Sequence, residues 1–142
     1  MKTKFNFKSQ ICTDKIQSEH LLALGLKKET ADCALLPLTD KVTSVLVKPS
    51  TYDIKNTIPA WSLGRLMEIL PSPIPISEDL PTFHHYAYLD LSKVSAHYYW
   101  EDYDGAERAL ASFCGDGLFT AVVDAIEWLI KEGNFPKEYL EE

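Results

Sequence analysis

The stretch GLFTAVVDAIEWLIKEGNFPKEYL, residues 117–140, decides the fold. Phe119, Val122, Ile126 and Leu129 recur at intervals of three and four, and Leu118, Ala125 and Ile130 widen the same stripe. Thr120, Asp124, Glu127 and Lys131 fill the opposite side. The spacing predicts an amphipathic helix that closes a small core. Asp116 stands just before the run, where a carboxylate accepts from unpaired backbone N–H groups and meets the positive end of the dipole. Gly133 follows the last apolar turn, and Pro136 prevents continuation. Trp128, on a helix this apolar, reads as a core residue rather than a ligand-stacking one.

Working back from that helix, the chain alternates helices with strand pairs. Asp14 with Gln17 three residues on approximates a capping box, opening a helix that carries Ile16, Leu21, Leu22 and Leu24 and stops at Gly25. Residues Lys27–Asp32 read as a polar turn or short helix. Cys33–Leu38 and Thr43–Lys48 read as short strands around Thr39-Asp40-Lys41, with Pro37 placing the first at a sheet edge. A second helix is expected over Ala60–Leu70, with Pro59 at its start and Pro71 at its end. Gly64 inside it costs about 1 kcal/mol against Ala, which suggests a close approach there. The four prolines from Pro71 to Pro81 form a stiff connector.

TFHHYAYLDLSKVSAHYYWEDY, residues 82–103, is expected to be a hairpin. Pairing Asp90 with Lys93 puts Phe83, His85, Ala87, Leu89, Val94, Ala96, Tyr98 and Trp100 on one face. The other face then carries His84, Tyr86, Tyr88, Asp90, Lys93, Ser95, His97, Tyr99 and Glu101. Leu91-Ser92 is a poor pair for a tight primed turn, so a different loop stays open.

At 142 residues the chain is expected to be one domain, and a chain of that size needs neither disulfide nor metal to hold a core. Three cysteines, Cys12, Cys33 and Cys114, show no CxxC spacing and read as small buried residues of a reducing compartment. No run approaches a membrane span, and MKTKFNFKSQ lacks the apolar stretch of a signal peptide, so a cytoplasmic place is expected. Residues 78–142 hold 4 Lys/Arg against 14 Asp/Glu, while residues 1–77 hold 10 against 7. The acidic half disfavours nucleic acid and membrane surfaces and suits a basic partner; more simply, it is a solvated face.

Few constellations carry chemistry. His84 and His97 share the polar hairpin face with Glu101, but no HxxxH or cysteine pair completes a zinc site, and no metal or cofactor is expected. Glu101, Asp102 and Asp104 before Gly105 lack the later ligands of a calcium loop and read as a polar turn. No GxSxG, P-loop, GxGxxG or HExxH occurs, so the expectation leans away from an enzyme. A small-ligand or hydrolytic site built on His84, His97 and Glu101 is a third reading. LLALGLKKETADCALL, within residues 17–36, resembles a helix-turn-helix and makes a nucleic-acid-associated regulator the second reading, yet the segment after Thr30 is short for a recognition helix and brings no Lys or Arg to the phosphates. The best candidate surface is His84, Tyr86, Tyr88, His97, Tyr99, Glu101 and Tyr103. Aromatic groups with polar tips suit a protein partner or a second copy of the chain.

Three segments resemble a family of small uncharacterised proteins of Bacteroidetes genomes and their prophages and mobile elements. They are ICTDKIQSEHLLALGLKKETAD (11–32), IPAWSLGRLMEILP (58–71) and GDGLFTAVVDAIEWLIKEGNFPKEYL (115–140). The resemblance implies an accessory protein of a mobile element and carries over no catalytic residue. The fold expected is α+β, in the order α-β-β-α-β-β-α, with the last helix on an antiparallel sheet. The leading functional expectation is a non-enzymatic protein-interaction module.

Overall fold

The apolar stripe of residues 118–131 lies across an antiparallel sheet, as its spacing requires. The computed structural model describes residues 9–38, 41–46 and 57–142. The helices are α1 (Lys15–Ala23), α2 (Leu63–Ile69) and α3 (Leu118–Lys131). The strands are β1 (Cys33–Leu38), β2 (Lys41–Leu46), β3 (Ile58–Ala60), β4 (Ile74–Pro75), β5 (Tyr86–Leu91), β6 (Ser95–Glu101) and β7 (Glu107–Cys114). They form two antiparallel sheets, ordered β2-β1-β3 and β4-β5-β6-β7. The molecule is therefore α+β, and α3 packs on β6 and β7. The two expected strand pairs do not share a sheet: each belongs to its own, extended by β3 in one case and by β4 and β7 in the other.

Phe119, Val122, Ile126 and Leu129 are all buried, each contributing about 1.5–3 kcal/mol by leaving water. Trp128 is half-buried, its ring 5.8 Å from those of both Tyr98 and Phe113. Small residues let the helix sit close, since Ala121 and Ala125 meet a sheet whose inner face includes Ala87 and Ala96. The expected Asp116 cap is not made. The helix starts one residue later, with Gly117 at the cap and no side-chain bond, which leaves Asp116 outside it and exposed.

Both long helices end by the same device. Gly133 (φ +75°) donates to the Ile130 carbonyl and Asn134 to that of Leu129; Gly25 (φ +98°) donates to Leu22 and Leu26 to Leu21. This is the Schellman pattern, which requires the left-handed backbone glycine supplies. At α1 it also brings Leu21 and Leu26 together in the core. The capping box at the other end of α1 is reciprocal: Gln17 N–H donates to Asp14 Oδ1 at 2.8 Å, and Asp14 N–H to Gln17 Oε1 at 3.0 Å. Ile16, expected on the buried stripe, is exposed, because α1 turns Ser18 and Leu21 inward instead. The C-terminal segment then returns to α1, where Glu141 N–H donates to the Gly25 carbonyl and Lys27 N–H to that of Tyr139.

Pro37 does not make β1 an edge strand, since β1 lies between β2 and β3. The pairing with β3 covers only Cys33–Leu35, however, so Pro37 stands beyond it in the strand and takes no place in that ladder. The expected turn at Thr39-Asp40 and the strand end at Val47-Lys48 lie outside the described residues. Pro59, expected to start a helix, sits in β3, and α2 begins three residues later than predicted, capped by the Ser62 hydroxyl, which accepts from Arg65 N–H. Gly64 meets no close neighbour: a Cβ there would find only Ser62 Oγ, at 3.9 Å. Gly64→Ala is therefore expected to stabilise the protein by about 0.5–1 kcal/mol, read as an increased urea midpoint. An unchanged or lower midpoint would show a constraint that the packing does not reveal.

Of the cysteines, Cys12 and Cys33 are buried, and Cys114, at the end of β7, is exposed, against expectation. Burial, with Asp32 and Cys12 beside it, pushes the Cys33 thiol up to about 12, so it stays neutral.

Candidate functional site

Alternation along β5 and β6 separates two faces. Ala87, Ala96, Tyr98 and Trp100 point at α3, while Tyr86, Tyr88, Asp90, His97 and Tyr99 lie on the other side. The register differs from the expected one, with Leu91 opposite Ala96 and Tyr88 opposite Tyr99. The hairpin closes through a wider loop, in which Ser92 N–H donates to the Ser95 carbonyl. The offset is an even number of residues, so no side chain of the paired strands changes face. Phe83 and Val94 lie outside the strands and are exposed, against the apolar assignment.

On the outer face Tyr88 and Tyr99 are cross-strand partners with ring centroids 6.2 Å apart, and His97 lies 6.0 Å from Tyr99. Tyr86 and Tyr88 are 47% and 42% exposed, so this face is open. His97 Nε2 is 3.3 Å from Asp90 Oδ2 on the neighbouring strand. β7 adds Ala109 opposite Tyr99, Ser112 opposite His97 and Glu107 opposite Glu101. A shallow depression of about 260 Å³ lies over this part of the sheet, lined by His97, Tyr99, Glu107, Arg108, Ala109 and Ser112.

Two expected members stand apart. His84 precedes β5 and donates its N–H to Thr82 Oγ1, at a level of the ladder far from His97. Tyr103 lies in the β6–β7 turn, its ring edge-on to Phe83 at 4.6 Å. Glu101 and His97 share a face but are four residues apart on one strand, about 13 Å. His84, His97 and Glu101 therefore do not converge, and the small-ligand or hydrolytic site expected of them does not form. Asp102, expected in an acidic turn, uses its carboxylate internally: Oδ1 accepts from Asp104 and Ala106 N–H, and Oδ2 from Arg108 Nε at 2.9 Å. The Ala106 amide and Arg108 hold that carboxyl below the usual aspartate range. Its contribution to stability is present above that range and is lost as pH falls through the depressed value.

Asp90, His97 and Ser112 form a row across three strands, which sequence reasoning missed because it did not read β7 as a strand. The row invites a nucleophilic reading. Among the described residues, however, no hydrogen bond joins Ser112 to His97, Asp90 is largely solvated, and the sheet's amides point within its plane rather than at a substrate. His85 was also missed: its backbone is left-handed (φ 54°), and its buried Nδ1 has no hydrogen-bond partner among the described residues.

The helix-turn-helix expected over residues 17–36 is not formed. After α1 comes a single 3-10 turn, Lys28–Thr30, and then the paired strand β1, whose Cys33, Ala34 and Leu35 are buried, so residues 17–36 offer no second helix to a groove. Among the described residues no three His, Cys, Asp or Glu side chains are grouped to hold a metal, and no helix is long and apolar enough to cross a membrane. No protein-family model, curated protein or solved structure matches the chain.

Proposed function

We propose that the protein is a non-enzymatic interaction module that binds another protein through the outer face of β5, β6 and β7, and that it serves a mobile element in the cytoplasm. The observation that carries the reading is the exposure of Tyr86 and Tyr88 beside Tyr99 and His97 on a regular sheet. Rings fixed by neighbouring strands lose little freedom when a partner covers them, and their hydroxyls keep a polar contact. The mobile-element setting rests on the sequence resemblance of residues 11–32, 58–71 and 115–140, and the cytoplasm on the free cysteines, which suit a reducing compartment.

Affinity purification from the native host, followed by titration of the purified pair, tests this reading. Tyr88→Ala is expected to weaken binding about 30-fold, as a central aromatic anchor does, with the melting temperature unchanged. No reproducible partner, together with a strictly monomeric chain, would sink the proposal.

A further inference from the structure

The outer edge of β7 adjoins the tyrosine face, and its chemistry defines what fits there. Strand order leaves β7 at the sheet edge, and all eight of its residues are exposed or half-exposed. An edge strand presents unpaired N–H and C=O groups and is ordinarily guarded by lysine, proline or a bulge. β7 has one such guard, an irregularity at Leu110, where Tyr98 and Tyr99 pair with Ala111 and Ala109. Beyond it Ala111–Cys114 runs regularly, and Ala109–Cys114 contains neither charge nor proline. Arg108, the one cationic side chain of the strand, is already held by Asp102.

Charge and shape point the same way. Asp90, Glu101 and Glu107 lie on the tyrosine side, and Glu101 faces Glu107 directly across the ladder. Like charges so placed repel each other, and a cation between them relieves this. Ala109 and Ser112 are small, which makes the depression beside Tyr99 and His97. A strand added to β7 would lie about 4.8 Å from it, so a long side chain crossing Ala109 reaches the Tyr99 ring and the Glu107 carboxylate. Aromatic faces and carboxylates together attract ammonium and guanidinium groups.

We infer that β7 receives an extended basic peptide as a fifth strand of the sheet, with alternate Lys or Arg side chains laid over Ala109 and Ser112 onto Tyr99, His97 and Glu107. The backbone edge supplies affinity, and the acidic aromatic face selects the partner. This rests on the interaction-module reading and gives its partner a chemistry. A second copy of the chain is a poorer occupant, since residues 78–142 carry 14 acidic against 4 basic side chains and would face their like.

The probe is a random 12-residue peptide library displayed on phage and panned against the full chain. Enriched peptides are then measured by fluorescence anisotropy at low and high salt and by amide exchange. Expected are sequences with Lys or Arg at alternate positions, affinity that falls with salt, and amides of Ala111–Cys114 slowed about tenfold or more in the complex. Ala109→Lys and Tyr99→Ala should each weaken binding about tenfold, with far-UV circular dichroism and melting confirming that both fold. The inference is overturned if nothing is enriched, if the selected peptides lack alternating basic residues, or if β7 amides exchange as in the free protein. Amide protection of β7 that rises with the protein's own concentration would assign the edge to a second copy and overturn it as well. A host partner that cross-links at Tyr86 or Tyr88 while these arms fail would leave the interaction-module reading standing without this one.

Discussion

Trp61→Ala is expected to destabilise the protein by about 3–5 kcal/mol, enough to leave a domain of ordinary stability close to unfolding. The Trp61 side chain is fully buried in the main core, and its polar groups join three segments distant in sequence. Its N–H donates to Thr13 Oγ1 at 3.1 Å, its carbonyl accepts from Thr13 N–H at 2.9 Å, and Nε1 donates to Thr30 Oγ1 at 2.9 Å. Around it, Ser62 N–H donates to Asp32 Oδ1 and Arg65 Nη1 to the Thr30 carbonyl. Truncation leaves a cavity and takes away the donor to Thr30 Oγ1, a half-buried hydroxyl that still donates to the Lys27 carbonyl, so the cavity supplies most of the loss. Trp61→Phe keeps most of the volume and should lose about 1–2 kcal/mol. Urea unfolding followed by circular dichroism measures both. A loss below about 1 kcal/mol for Trp61→Ala would show that this junction does not hold residues 13, 30–32 and 61–65 together.

The Trp61 junction also shows what the sequence made legible and what it did not. Asp14, Gln17, Gly25 and Gly133 announced helix ends because capping is local chemistry, written within four or five residues. The α3 stripe announced its buried face for the same reason. Asp116 misled because a cap depends on which single residue starts the helix, and Gly117 took that place. β3 was hidden because Ile58-Pro59-Ala60 is three residues long and becomes a strand only by lying against β1. β7 was hidden because its sequence, residues 107–114, has helix formers and little period of two; only Ala111 and Phe113 are half-buried under α3, too few to show an apolar alternation. The tyrosine face survived an incorrect turn because parity, not register, sorts side chains between faces. What could not be read was where His84 and Tyr103 fall relative to the ladder's ends, since that depends on where pairing stops. The small size of Ala109 and Ser112 gains meaning only once β7 is placed beside Tyr99.

Tyr98→Ala is expected to cost a similar amount, about 3–5 kcal/mol, for a different reason. Tyr98 is the inward-facing centre of β6, fully buried against α3, with its ring 5.8 Å from Trp128 and its hydroxyl donating to the Pro71 carbonyl at 2.7 Å. It therefore ties three parts together: the sheet, the helix that closes it, and the segment between α2 and β4. Tyr98→Phe separates the hydroxyl from the ring and should lose about 1 kcal/mol at neutral pH. Burial raises the Tyr98 phenol above its ordinary value, and this sets the sign of the pH effect. The folded protein holds this proton more tightly than the unfolded chain, so the contribution is full below about pH 10 and declines as pH rises towards the folded value. Melting temperature measured from pH 7 to pH 11.5 should therefore fall more steeply above pH 10 in the parent than in Tyr98→Phe, and the gap between them should narrow. Parallel curves would mean that the phenol ionises as freely in the folded protein as in the unfolded chain, and that the core around β6 admits water.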